Sequence, residues 1–270
     1  NVSITNSVWN NGMAAIKASQ SDGNEPISLG ISNFTILGNS ISSNNDQTSI
    51  ISVSGGKFDI QGLRIINNTL AGVNNNPILG LNLTVCNGNA DNIRYENNAL
   101  TGMGSLIAGR FNNQSHFQNL FVRNNTVDAM AGYSQTKFTD ILQDTSLLRF
   151  SETLPILKKV TLLENKILNG SKLLGFYKNE TFKELGFVFS DFLIQDNLIQ
   201  NSVMINILSR FDNISDITIR GNTFIDSELM IIKQQMISKN IVIDGNSFSA
   251  INKLSFGIIC DSLSNSNEAE

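Results

Sequence analysis

The sequence predicts an all-β chain wound as a parallel β-helix solenoid of about nine coils, with three short strands to each coil. Three observations carry this prediction. An asparagine recurs nine times inside a short apolar frame, apolar-x-apolar-x-x-Asn-x-apolar, at intervals of 33, 29, 30, 27, 40, 32, 25 and 24 residues. The residue just before it is Gly, Asn or Asp in seven of the eight complete copies. A third apolar run follows in most units before the next frame begins. A supersecondary unit repeating at this period marks a stacked array in which one unit cannot bury its own apolar face.

The elements follow in order from the frame. Its complete copies are Phe34/Ile36/Asn39/Ile41, Leu63/Ile65/Asn68/Leu70, Ile93/Tyr95/Asn98/Leu100, Leu120/Val122/Asn125/Val127, Val160/Leu162/Asn165/Ile167, Phe192/Ile194/Asn197/Ile199, Ile217/Ile219/Asn222/Phe224 and Ile241/Ile243/Asn246/Phe248. A first copy around Asn6, with Val2, Ile4 and Val8, is one residue short. Two apolar residues one position apart describe a strand with one buried face. Gly38, Asn67, Asn97, Asn124, Glu164, Asp196, Gly221 and Gly245 then form the corner. All but Glu164 tolerate the left-handed backbone of a sharp turn. The apolar residue two places after the asparagine opens a second strand. The third strand is expected in runs such as Ser49–Val53, Pro77–Leu81, Leu147–Phe150, Leu173–Tyr177, Met204–Leu208, Leu229–Ile232 and Phe256–Ile259.

Stacking sets each asparagine above the next at the strand spacing of about 4.8 Å. Buried amides in that register can bond up and down as a ladder, which explains why the corner takes Asn rather than Ser or Gly. The expected ladder is Asn6, Asn39, Asn68, Asn98, Asn125, Asn165, Asn197, Asn222 and Asn246. Leucine-rich repeats compete for the same core pattern. Several copies even carry an apolar residue three places ahead of the frame (Ile31, Ile60, Phe117, Leu157, Phe189, Ile214). The 40-residue period, the preference for Ile, Val and Phe, and the strand-like segment after each asparagine favour the β-helix.

The frames Ile217–Phe224 and Ile241–Phe248 resemble the repeat of right-handed parallel β-helix proteins, the pectin-lyase-like superfamily. The resemblance runs from Val2 to about Asp261 and implies a right-handed coil. That superfamily holds polysaccharide lyases, hydrolases, phage tailspikes, adhesins and structural modules, so it implies an architecture without choosing a function. The clustered Asp pairs, Gly-His-Gly and Arg-x-x-x-x-Lys motifs of its lyases and polygalacturonases are not visible, and His116 is the single histidine.

Composition narrows the field. Charged residues make up 16% and the net charge is −4, so neither nucleic acid nor an anionic membrane is expected as a partner. No apolar run approaches the ~20 residues of a membrane-spanning helix. Cys86 and Cys260 lie six coils apart, on the order of 30 Å, too far to bridge. No Cys/His cluster has metal spacing, and no cofactor is expected. Asn accounts for 38 of 270 residues. Glycosylation sequons begin at Asn1, Asn33, Asn67, Asn82, Asn113, Asn124, Asn169, Asn179 and Asn213, not far above what this composition delivers by chance.

Three constellations could carry chemistry. Asp191 with Asp216, and Glu164 with Asp196, occupy equivalent positions in adjacent coils, roughly 5 Å apart if stacked, which suits a retaining glycosidase or a calcium ion. Solvated turn carboxylates are the bland alternative. Arg110, Arg149, Lys178, Arg210 and Lys233 fall in or just after the third strand of five consecutive coils, a cationic streak that suits an acidic polysaccharide. Scattered solubilising charge would look the same. The longest interval holds an insertion from Gly132 to Thr145, where Tyr133, Lys137, Phe138 and Asp140 stand on a candidate binding loop.

The expected organisation is a solenoid over 1–262 followed by a polar, acidic tail or linker over 263–270. The chain opens directly inside a strand frame, with no capping helix, so a segment of something longer is expected. The function expected first is a non-enzymatic structural or adhesive segment of an extracellular, cell-surface or particle-surface assembly. Its expected partners are other copies or subunits meeting the solenoid ends, and polysaccharide. The alternatives are a lyase or glycosidase acting on an acidic glycan through the third-strand face, and a carbohydrate-binding module.

Overall fold

The computed structural model describes residues 2–10, 16–19, 28–43, 48–72, 78–102, 104–129, 145–152, 155–177, 188–207, 211–232, 236–249 and 258–260. Nearly all of the insertion, with Tyr133, Lys137, Phe138 and Asp140, lies outside these residues. So do Lys178, Arg210, Lys233, Asn1, Asn179 and the tail.

Among the described residues the chain is all-β and has no helix. Its 28 strands make one sheet of 19 and one of 9, with neighbours pairing in parallel. Three ladders can be traced through them. A leading ladder holds the strands ahead of each asparagine, including Phe34–Leu37, Arg64–Ile66, His116–Arg123, Ile156–Leu163, Val188–Gln195 and Met236–Asp244. A trailing ladder, the nine-stranded sheet, holds the short strands after it, such as Ser40–Ser43, Thr69–Gly72 and Thr126–Asp128. A closing ladder holds the third apolar runs, such as Thr48–Ser54, Gly104–Phe111, Ser146–Glu152 and Lys172–Tyr177. The strand Ile78–Glu96 belongs to both the closing and leading ladders, which joins them into the larger sheet.

That 19-residue strand departs from the expected short strands. Its change of direction is made without a loop. The register shifts between Thr84 and Cys86, and Val85 between them has φ 51°. A one-residue bulge of this kind bends a strand while keeping its flanks paired.

Register sets frame upon frame. Ile36, Ile65, Tyr95, Val122, Leu162, Ile194 and Ile219 are successive Cα partners and are all fully buried. Burial of this kind stabilises by roughly 1.5–3 kcal/mol per large apolar side chain. Beside this column Phe58, Phe111, Phe117 and Phe150 form a buried aromatic cluster with centroid separations of 5.5–6.2 Å.

Two columns of left-handed residues shape the leading strands. The first is the expected corner: Gly38, Asn67, Asn97, Asn124, Glu164, Asp196, Gly221 and Gly245 all have φ between 50° and 69°. The second stands six residues before each ladder asparagine, at Asn33, Gly62, Asn92, Asn119, Lys159, Asp191, Asp216 and Asn240, with φ between 52° and 68°. Pairing skips these residues: Asp91 pairs Gln118 and Ile93 pairs Leu120, while Asn92 and Asn119 stay out of the ladder. Each skip lets two core residues three apart in sequence face the same side.

Candidate functional site

Each coil sends the amide of its corner asparagine inward. Asn39, Asn68, Asn98, Asn125, Asn165, Asn197 and Asn222 are all buried. From Asn68 onward the Oδ1 of each accepts two hydrogen bonds from the preceding asparagine, one from its backbone N and one from its Nδ2. For the step from Asn98 to Asn125 both are 2.9 Å. The Nδ2 of Asn125 then donates to Oδ1 of Asn165 at 3.0 Å, and to the carbonyls of Tyr95 and Arg123. The same pattern links Asn39 through Asn246 without a break. Buried polar groups this fully paired rigidify a core rather than weaken it.

The first copy corrects the sequence reading. Val2 pairs Phe34 and Thr5 pairs Leu37, so Ser7 rather than Asn6 stands in the ladder slot. The Ser7 backbone N donates to Asn39 Oδ1 at 2.9 Å. Asn6 takes the corner position, with φ 52°. The one-residue shortfall in this copy therefore falls on the asparagine itself.

A second polar column was not foreseen. At the turn after the trailing strands, Ser202 Oγ accepts from the Gly170 backbone N, and Ser227 Oγ accepts from the Ser202 backbone N. Ser171 Oγ donates to the carbonyls of Val127 and Leu168. Serine abounds in this sequence, so its recurrence five or six residues after Asn165, Asn197 and Asn222 was the one available signal.

Asp191 and Asp216 hold equivalent positions between the paired Ser190/Ser215 and Phe192/Ile217, and Glu164, Asp196 and Asp216 each have a partner of their own. Glu164 Oε2 accepts from Arg123 Nε at 2.8 Å, and this bond with its charge holds the guanidinium above its ordinary value. Asp196 Oδ2 accepts from Gln195 Nε2 at 2.8 Å. Asp216 accepts from Asn240 Nδ2 at 2.9 Å, and hydrogen bonds from Asn240 and then Ser215 hold its carboxyl below the ordinary value. A general acid of the glycosidase kind needs the opposite shift. Among the described residues no group of three or more His, Cys, Asp or Glu side chains could hold a metal ion.

Arg110 and Arg149 lie on neighbouring strands of the closing ladder. Arg110 pairs Ser151, while Arg149 pairs Ala108 and Gly175, which sets the two arginines two positions apart on the same face. The described sequons divide by exposure. Asn33, Asn67, Asn113 and Asn124 are exposed, whereas Asn82 and Asn169 are half-buried. Asn169 donates to Asp128 Oδ1 at 3.0 Å. The seventh described sequon residue, Asn213, lies in the strand Phe211–Arg220.

The outer face of the leading ladder brings together residues that sequence spacing kept apart. Arg64 and Arg94 are direct Cα partners, and Arg94 is in turn the partner of Phe121. The Arg94 guanidinium carbon lies 5.4 Å from the Phe121 ring centroid, and its Nη1 is 3.6 Å from Glu96 Oε1. Arg123 is the partner of Glu96. Farther along, Arg220 binds Gln195 Oε1 through Nε and Nη2 at 3.0 and 2.8 Å. Half-buried Leu37, Ile66, Leu163 and Leu193 complete the face.

No protein-family model matches the chain, and no curated protein matches it. Among solved structures it is similar to one described as PfbA, a surface adhesin of Streptococcus pneumoniae, at 16% identity and a TM-score of 0.28. The similarity covers 82% of this chain and 63% of that chain, so this chain spans less than two thirds of its neighbour's length. At that TM-score the likeness carries no functional argument, and what the chain does has to be read from its own surfaces.

Proposed function

We propose that this chain is a non-catalytic structural and adhesive module of a cell or particle surface, built as a right-handed parallel β-helix of about nine three-sided coils. The unbroken amide column carries this reading. It fixes the rungs in register from Asn39 to Asn246, so side chains repeat on long lateral faces at about 4.8 Å per rung. A rigid repeating face suits holding an elongated surface or polymer better than enclosing a small substrate.

Other copies or subunits meet it through the solenoid ends. Ile241 and Phe248 are half-buried and Ile243 is 45% exposed, whereas their inner partners Ile217, Phe224 and Ile219 are at most 1% exposed. Apolar side chains exposed to this degree suit a contact with a further rung or a partner.

The test uses the purified chain on polysaccharides. Incubation with uronate-containing polymers is expected to release no unsaturated or reducing ends, while beads coated with the chain are retained on immobilised glycan. Sustained product release that Arg149→Ala abolishes would overturn the non-catalytic reading. Failure of the beads to adhere to any immobilised glycan would overturn the adhesive one.

A further inference from the structure

We propose that the outer face of the leading ladder, from Arg64 through Arg94 and Phe121 to Arg123, binds an extended acidic glycan lying along the stack. The inference rests on the adhesive reading and names its face and ligand class.

Arg64 and Arg94 are directly opposed on a solvent face. Like charges opposed across neighbouring strands destabilise a sheet, and Arg64 makes no ion pair among the described residues. An arrangement that costs stability in the free protein is relieved when an anion lies between the two guanidinium groups. Arg94 is held against the Phe121 ring, which fixes its plane while its edge still donates. The next cation, Arg123, has only Nε taken by Glu164, so its terminal nitrogens remain for a ligand.

The three arginines span three consecutive rungs, on the order of 10 Å along the axis. A linear uronate polymer presents carboxylates at a comparable interval, whereas a compact anion would meet one guanidinium pair alone. Beside the cations, Ile66 and Phe121, and Leu163 one rung beyond Arg123, offer half-buried apolar surface to the carbon faces of sugar rings. Glu96 and Glu164 stand among the arginines, and the whole chain carries −4, which disfavours a densely charged nucleic-acid backbone. A glycan with one acid group per ring and uncharged carbon between matches this mixture.

The experiment measures affinity of the full chain for a long oligogalacturonate, for its methyl-esterified neutral form and for duplex DNA. It is repeated with Arg64→Gln/Arg94→Gln, with Arg123→Gln, and with Arg110→Gln/Arg149→Gln on the other face. Wild type is expected to prefer the acidic oligomer, with affinity falling as salt rises. The leading-face double variant should bind at least roughly tenfold more weakly, since it loses charge-assisted donors. The closing-face variant should stay within about twofold. Arg64→Gln alone should also melt no lower than wild type, because the opposed charge is gone while Arg94 keeps Phe121 and Glu96. Equal binding of the neutral oligomer overturns the proposal. So does unchanged affinity in the leading-face variants, loss confined to the closing-face variant, or DNA binding through the same arginines. If wild type adheres to immobilised glycan but ignores the acidic oligomer, this inference fails while the adhesive reading stands. If wild type adheres to no immobilised glycan, the wider reading fails with it.

Discussion

Asn125 shows what one side chain contributes. It accepts from Asn98 twice and donates to Asn165 and to two backbone carbonyls. Replacing it with alanine leaves the Asn98 backbone N and Nδ2 buried without their acceptor. At about 1–3 kcal/mol per orphaned buried donor, Asn125→Ala should destabilise by roughly 2–6 kcal/mol in denaturant unfolding. Asn246→Ala, at a half-buried rung, should cost distinctly less; equal costs would show that the ladder is not what the amides hold together. Tyr95 offers a contrast, since its buried hydroxyl has no hydrogen-bond partner among the described residues. Burial raises its pKa well above 10 and pushes the Cys86 thiol from 9.0 to about 12. Both groups keep their protons longer folded than unfolded, so stability is whole below pH 9 and falls as pH rises beyond it. Tyr95→Phe should be no less stable than wild type at neutral pH and should lose stability more slowly above pH 10, by denaturant titration across pH. The ladder asparagines were legible because each sits inside a fixed apolar frame. Ser7 was not, because a lone serine one place off the count carries no such frame.

Among elements, the corners were readable from Gly, Asn and Asp, and Glu164 entered the left-handed region with them. The second left-handed column was not read, although its signature was present. Ile31 and Phe34, Ile60 and Leu63, and Phe117 and Leu120 are buried pairs three residues apart. Strict alternation cannot bury both members of such a pair, so one residue between them has to leave the pleat. The same spacing had counted as a likeness to leucine-rich repeats, and the strands between frames, with no helix among the described residues, set that likeness aside. Val85 is the least comfortable member of the leading-strand approach: it is β-branched, 43% exposed and at φ 51°. A side chain with two branches at Cβ resists that conformation, where glycine is free of the cost. Val85→Gly should therefore raise stability by about 1 kcal/mol, measured as the shift in denaturant midpoint at constant slope. A loss of stability would mean that the Val85 side chain, not the backbone turn, is what the bulge depends on.

At the scale of the molecule, the period alone was enough to expect strands stacked in parallel, because only neighbours can bury the frame's apolar face. The outer face was out of reach of the sequence. Arg64 and Arg94 are 30 residues apart and Arg94 and Phe121 are 27 apart, and only the observed register makes neighbours of them. Arg110 and Arg149, whose offsets of 12 and 24 from their asparagines looked unlike, share a face for the same reason: the longer interval is absorbed before the strand Ser146–Glu152 begins. Distances along the chain predict a repeat well and a surface poorly when the repeats differ in length.

From Asn39 to Asn222 each side-chain amide donates to the next asparagine toward the C-terminus, and from Asn68 to Asn246 each Oδ1 accepts from the one before. Aligned dipoles of this kind sum along their axis, as they do in a helix. The rod is therefore an arrow. Turning over one amide, at Asn125 for instance, would set its Nδ2 against Asn98 Nδ2 on one side and its Oδ1 against Asn165 Oδ1 on the other.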